Sequence, residues 1–293
     1  MNFSSISINL IESYLSNRSQ SVCFSNNMNN ELPVNQGVPQ GSILGPLLFI
    51  CYINDLQINC PAASLFMYAD DTTLCISHKN LNSLLSKVNE SLESFSPYYL
   101  TNSLIVNLTK TFCIYNFFKK IIPERFTPII NGNSIEFVNN FKFLGVIIDP
   151  YLKFSKHCNQ IKSKLSSANS IILKSSRILP LAAKKLLFNC IGTPFILYGI
   201  PCYYIHSNIS DLKFLESKYN EAGKYIIGKR KYYSTTKSLE ILNWPSFNRF
   251  IVEHLFKFVF QCKINCSGLE GNFSRISDLH DHNTPAKNTL AFC

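Results

Sequence analysis

Residues 64–77 read SLFMYADDTTLCIS. Two apolar half-segments flank Ala69–Asp71, a pattern that predicts two strands joined tightly, with the acids Asp70 and Asp71 at the tip of a hairpin. Side chains alternate in a strand, so adjacent acids cannot both face a core. Two readings fit such a pair. It is a solvated turn, or it is a metal site. Carboxylate oxygens on a rigid turn are hard ligands for Mg²⁺ or Mn²⁺, ions that retain water and bind substrate phosphates. Two such ions can activate a hydroxyl nucleophile and stabilise a leaving pyrophosphate.

The segments around the acid pair give it a setting. Upstream, GVPQGSILGPLLFICYIND (37–55) turns at Gly37, Pro39 and Gly41. Ser42 can then cap a helix carrying Leu47, Leu48, Cys51 and Ile53, with Pro46 tolerated in its first turn and Asn54–Asp55 closing its end. Before that, ISINLIESYLSNRSQ (6–20) spaces Ile6, Leu10, Ile11 and Leu15 as a helix; SVCF (21–24) predicts a short strand and SNNMNNELPVNQG (25–37) a loop. Downstream, LNSLLSKVNESLESF (81–95) is an amphipathic helix, with Leu81, Leu84, Leu85, Val88 and Leu92 on one side. LIVNLTKTFCIYNF (104–117) and FKFLGVIID (141–149) read as strands. From Ser155 helical periodicity dominates: about 155–178, 181–206 and 209–228, then the basic turn GKRKYYSTTK (228–237) and helix to about 265. The expected fold class is α+β, an antiparallel sheet plus helices in residues 1–150 followed by a mostly helical region in 151–293.

Composition narrows the function classes. Of the 293 residues 46% are hydrophobic, which excludes global disorder. The longest apolar run, 43–53, is too short for a bilayer span and is interrupted by Gly45 and Pro46. The opening MNFSSISINLIESYL lacks the basic start and apolar block of a secretory signal. The expectation is an intracellular protein of cytoplasm or nucleus, with no membrane partner. The 11 cysteines are odd in number and contain no CxxC, which suits reduced thiols. Cys262, Cys266, His280 and His282 could form a zinc knuckle, although the His-x-His spacing differs from the usual finger. Charge divides unevenly. Residues 1–150 hold 8 Lys/Arg against 10 Asp/Glu, a net −2; residues 151–293 hold 20 against 8, a net +12. The second half either faces a polyanion or keeps a surface soluble.

The order of these motifs identifies a resemblance. YADD, preceded by GVPQGSILGPLLFICYIND, resembles the palm of a reverse transcriptase of the non-LTR (LINE-like, jockey-type) retrotransposons. IESYLSNRSQSV looks like the segment leading into that loop, and NSLIVNLTKT like the family's lysine-bearing strand. FKFLGVIIDPYLKFSKHCNQIKSKL looks like its primer-grip hairpin entering the thumb. The resemblance is strong over 9–165 and weaker over the remainder. It implies a partial polymerase palm followed by a helical thumb, and two-metal nucleotidyl transfer with Mg²⁺ or Mn²⁺. It also implies an RNA template, a DNA primer and deoxynucleoside triphosphates as partners.

The resemblance assigns roles to matching positions. Asp70 and Asp71 match metal-site acids, with Tyr68 and Ala69 beside the primer terminus. Gln40 and Gly41 match the loop at the incoming nucleotide. Lys110 matches the general acid for the leaving pyrophosphate, although alone it reads as a surface lysine. Phe143, Leu144 and Gly145 match the primer grip, although alone they read as strand core. Nucleic acid is expected on Lys153, Lys156 and Lys164, which can share a face of the first basic helix while Lys162 sits off it, and on Lys229, Arg230 and Lys231. Tyr232 and Tyr233 read either as stacking or as packing residues.

One part of the pattern is missing. The two-metal site takes a further aspartate from an earlier strand, and residues 1–54 contain no Asp, only Glu12 and Glu31. The expectation is an N-terminally truncated chain that lacks fingers and endonuclease and is inactive alone. The alternative is a non-catalytic nucleic-acid-binding remnant of a decayed mobile element.

Overall fold

The computed structural model describes residues 3–25, 27–115 and 127–264, with the strand segments 273–275 and 290–292. By contacts the chain divides into two compact units: 1–113 with 122–136, and 114–121 with 137–293. The division falls ahead of the 141–149 segment.

The first unit opens with α1 (Ser5–Leu15), whose N-terminus is capped by the Ser4 hydroxyl accepting from the Ser7 amide at 3.2 Å. The helical pattern predicted through Gln20 stops at Leu15, and Asn17 takes a positive φ of 52°. Arg18–Gln20 is instead strand β1, followed by β2 (Cys23–Phe24), β3 (Asn27–Met28) and β4 (Leu32–Val34). β4 pairs antiparallel with β1, Ser19 opposite Pro33. The predicted loop 25–37 therefore contains two strands. Its pairing partner lies outside the segment, where local composition carries no signal. The Ser19 hydroxyl bonds Glu31 at 2.8 Å across this ladder.

Helix α2 (Leu44–Ile53) begins as expected: the Ser42 hydroxyl accepts from the Gly45 amide at 3.0 Å, with Pro46 in the first turn. Strands β5 (Ser64–Tyr68) and β6 (Asp71–Cys75) follow as an antiparallel hairpin, and then α3 (Leu81–Thr101). α3 runs one and a half turns beyond the predicted stretch, through Pro97. Its buried Leu92, Phe95 and Tyr98 meet Leu56, Cys60, Ile130 and Ile135 in the core of this unit. Full burial of one such side chain contributes about 2 kcal/mol. The Tyr52 hydroxyl donates to the Asn102 carbonyl and ties α2 to the end of α3.

The predicted strand 104–117 is a strand only at β7 (Phe112–Cys113); Leu108–Lys110 forms a 3₁₀ turn, and residues beyond 115 lie outside the described residues. The Asn107 carbonyl captures the Lys110 amide at 3.1 Å, which bends the chain out of extended form. Short strands β8 (Ile129–Ile130), β9 (Asn133–Ser134) and β10 (Glu136–Phe137) lead to the second unit.

In the second unit FKFLGVIID is a hairpin rather than one strand: β11 (Phe141–Phe143) and β12 (Val146–Ile148) pair antiparallel. Then come α4 (Ser155–Ser175), α5 (Leu181–Ile191), α6 (Thr193–Leu197), α7 (Ile200–Tyr203), α8 (Ile209–Ile226), α9 (Thr235–Leu242) and α10 (Phe247–Ile264). The predicted helix 181–206 is thus broken twice. Gly192 and Gly199 (φ 69°) make the joints, and prolines occupy the first turns of α6 and α7. The core runs along α4 through Cys158, Ile161, Leu165 and Ile172 and meets Tyr203, Leu215, Tyr219 and Ile251. Strands β13 (Phe273–Arg275) and β14 (Leu290–Phe292) pair antiparallel. The α+β class expected from the sequence is the class observed. Among the described residues no helix is long and apolar enough to cross a membrane.

Candidate active site

The acid pair sits where the alternation placed it. Tyr68 pairs with Asp71, so Ala69 and Asp70 form a two-residue turn, and Ala69 accepts a positive φ of 51°. Asp70 is in the turn and Asp71 opens β6; both are exposed. The register puts Leu65, Met67, Thr72 and Leu74 on one face of the hairpin, where Leu65 and Leu74 pack on the core. Phe66, Tyr68, Asp71 and Thr73 take the other face. Tyr68 is 65% exposed beside Asp71.

The donor chemistry of this tip fits a hard divalent cation. It offers carboxylate oxygens on a short turn, open to the water and substrate oxygens that complete such a shell. Among the described residues no group of three or more His, Cys, Asp or Glu gathers to hold a metal ion. Asp55 serves helix-end structure, as the sequence suggested: it accepts from the Tyr98 hydroxyl at 2.6 Å. Cys266, His280 and His282 of the possible zinc set lie outside the described residues.

One set of contacts escaped sequence reasoning. The Gln57 side chain accepts from the Leu65 amide at 3.0 Å and donates to the carbonyls of Ala63 (3.0 Å) and Cys60 (3.3 Å). No periodicity marks Gln57, because it acts through the particular turn its side chain spans. Tyr99, on α3, packs on the core of this unit as Leu65 and Leu74 do, and burial raises its pKa.

The remaining expected site residues divide between the units. Gln40 is exposed, and Gly41 takes φ 78°, a left-handed conformation that a side chain would strain. Lys110 is exposed at the end of its 3₁₀ turn. These belong to the first unit with the acids. Phe143–Gly145 belongs to the second. Phe143 pairs with Val146 across a two-residue turn in which Leu144 (φ 43°) and Gly145 (φ 90°) are both left-handed. The Tyr198 hydroxyl donates to the Leu144 carbonyl and holds this turn.

The basic residues are less uniform than their spacing implied. Lys153 lies ahead of α4, whose first turn is entered through Phe154 at φ 54°, so it does not share the helical face of Lys156 and Lys164. Lys156 is exposed on the side of α4 away from the buried stripe. Lys164 and Lys162 flank that stripe, their ammonium groups over Phe195 at 4.8 Å and Phe214 at 3.5 Å. Lys229, Arg230 and Lys231 are exposed in the turn after α8, which Lys224 ties down by donating to the Lys231 carbonyl at 2.9 Å. Tyr232 is 97% exposed and packs on little, while Lys229 sits 5.7 Å from the Tyr233 ring.

Residues 1–148 match the protein family described as reverse transcriptase (RNA-dependent DNA polymerase). The chain belongs to the reverse transcriptase family. It is similar to the RNA-directed DNA polymerases from mobile element jockey of Drosophila melanogaster (26% identical over 222 residues) and Drosophila funebris (25% over 222 residues). Each alignment covers 71% of this chain. It is also similar to a retrovirus-related Pol polyprotein from type-1 retrotransposable element R1 of Bradysia coprophila, 28% identical over 136 residues and 45% of this chain. The chain spans 24% of the two jockey polymerases and 13% of the R1 polyprotein. No solved structure matches it. Reverse transcriptases generally use divalent metal ions, a nucleic-acid template and nucleotide substrates.

Proposed function

We propose that this chain carries the carboxylate pair of an RNA-directed DNA polymerase that works by two-metal nucleotidyl transfer. The observation that carries the reading is the exposed Asp70–Asp71 tip of a two-residue hairpin in a reverse transcriptase chain. Asp70 and Asp71 would hold Mg²⁺, or Mn²⁺ in its place, which when bound would supply Lewis-acid activation of a primer hydroxyl and charge neutralisation at the pyrophosphate. Tyr68, on the face of Asp71, offers a ring beside the primer terminus. Gly41 allows backbone close to the incoming deoxynucleoside triphosphate, and Gln40 orients it. Lys110 delivers a proton to the leaving pyrophosphate.

Residues 1–150 then act as palm and 151–293 as thumb. Phe143–Gly145 grips the DNA primer. Lys153, Lys156, Lys164 and the 229–231 turn neutralise phosphates of primer and RNA template. A second reading, non-catalytic binding of nucleic acid, draws on the net +12 of residues 151–293 alone.

Primer extension on an RNA template with Mg²⁺ and with Mn²⁺ tests the choice. A two-metal site takes a further aspartate, and residues 1–54 contain none. The 293-residue chain is therefore expected to bind Mn²⁺ weakly and not to extend a primer. Joined to a segment that carries an aspartate-bearing strand, it should extend, and Asp70→Asn should abolish that extension. Extension insensitive to Asp70→Asn would remove the acid pair from the chemistry. No extension from the joined protein leaves the binding reading in possession.

A further inference from the structure

The hairpin that presents the two acids is thin. Among the described residues β5 and β6 pair only with each other. An isolated two-stranded hairpin is marginal in water, and its placement depends on what holds its outer edges. In a two-residue hairpin the pair closing the turn exchanges hydrogen bonds, and the pattern alternates away from it. Tyr68–Asp71 closes this turn, so Leu65 opposite Leu74 directs its amide away from β6. That amide is the one the Gln57 side chain accepts, at 3.0 Å.

Gln57 is itself immobilised. Its two amide hydrogens go to the Ala63 and Cys60 carbonyls, and Cys60 and Ala63 are buried beside Leu56. Gln57 thus occupies the place a neighbouring strand would take at β5 and roots it in the core. β6 follows β5 through the ladder that pairs them from Ser64–Cys75 to Tyr68–Asp71.

We propose that Gln57 is a positioning residue of the acid pair: it anchors β5, and through the hairpin it sets where Asp70 and Asp71 present their carboxylates. The proposal rests on the reading of those acids as the metal site. Gln57 does not touch the acids; it acts through the base of the strand that leads to them.

The test uses the isotope-labelled 293-residue chain, with amide hydrogen exchange at Leu65 and Mn²⁺-induced paramagnetic broadening of the Asp70 and Asp71 amides. The parent should show weak broadening at the tip that Asp70→Asn removes. Gln57→Ala should speed Leu65 exchange about tenfold and raise the Mn²⁺ concentration for half-broadening by a similar factor, the scale of one or two lost hydrogen bonds. Gln57→Met keeps the length of the side chain and loses every hydrogen bond, and should speed Leu65 exchange as Gln57→Ala does. Exchange at Leu92, in the core of the same unit, serves as the control for folding.

Unchanged Mn²⁺ affinity in Gln57→Ala overturns the proposal, since a merely stabilising role would lower stability and leave the site intact. Unchanged Leu65 exchange in Gln57→Ala overturns it as well. If Gln57→Ala fails to fold, Gln57→Met decides by the same readouts. A parent chain without Asp70-dependent broadening overturns the reading of the acids themselves, a result distinct from any behaviour of the variants.

Discussion

The Tyr98 hydroxyl donates to Asp55 Oδ1 at 2.6 Å and so joins the buried face of α3 to the end of α2. Burial, then the Asp55 hydrogen bond and the Asp55 charge, push the Tyr98 pKa well above the ordinary tyrosine range. Tyr98→Phe keeps the ring and is expected to cost about 1 kcal/mol, because Asp55 is solvated and recovers water. Urea unfolding at pH 7 measures it. A phenol whose folded pKa is raised stabilises the fold below its unfolded pKa and loses that contribution as pH rises toward the folded value. The parent should therefore lose stability above about pH 10 more steeply than Tyr98→Phe.

His157 titrates in the opposite sense. It is buried on α4, its Nδ1 accepts from the Ile147 amide at 3.4 Å, and its ring meets Tyr203 edge-on. Burial first, and then the Lys164 charge, lower its pKa. A lowered folded pKa gives stability that is present above the unfolded value and is lost as pH falls. The second unit should lose stability below about pH 6.5, and His157→Gln should flatten that slope. An unchanged slope in the variant would assign the pH dependence to another group.

Gly145 occupies a place a side chain strains. Its φ is 90°, and an added Cβ would lie 3.0 Å from Tyr198 Cε1. Gly145→Ala is expected to cost about 1–2 kcal/mol through the left-handed backbone. Thermal unfolding together with the Tyr198 resonance would show it; a neutral substitution would mean the turn relaxes.

The lysines of α4 should separate by role. Lys156→Ala combined with Lys229→Ala, Arg230→Ala and Lys231→Ala should weaken binding of a primer–template duplex and lower the salt slope by roughly one per lost phosphate contact. Lys162→Ala should instead cost about 0.5–1 kcal/mol of stability, because its ammonium lies over the Phe214 ring. Fluorescence anisotropy across a salt series reads the first effect and urea unfolding the second. A flat salt dependence in the parent would leave the basic surface as solubility alone.

What the sequence made legible was local. The Asp70–Asp71 hairpin declares itself through alternation on both sides of a two-residue turn, and α3 through its leucine spacing. Ser42 could be assigned as a cap because its partner lies three residues on. Pairings between distant segments were not legible. Leu32–Val34 became a strand only because Arg18–Gln20 lies opposite, and Lys110 left its expected strand because the Asn107 carbonyl captures its amide. The breaks at Gly192 and Gly199 carried glycine and proline signals that helical periodicity outweighed. At the acid pair, residue identity and hairpin geometry could be read in advance; the anchor Gln57 could not, since a glutamine bonds wherever the folded chain brings an open partner.

Asp149 has a mechanical consequence. Its carboxylate accepts the amides of Tyr151 (3.0 Å), Lys153 (3.2 Å) and Phe154 (2.6 Å), and Val146 and Phe154 on either side of it enter the same core. The link from β12 to α4 is therefore welded, not hinged. Any swing of the helical bundle carries the 141–148 hairpin along as part of one lever. A substrate strand held at Leu144–Gly145 would be displaced with the helices instead of sliding past them.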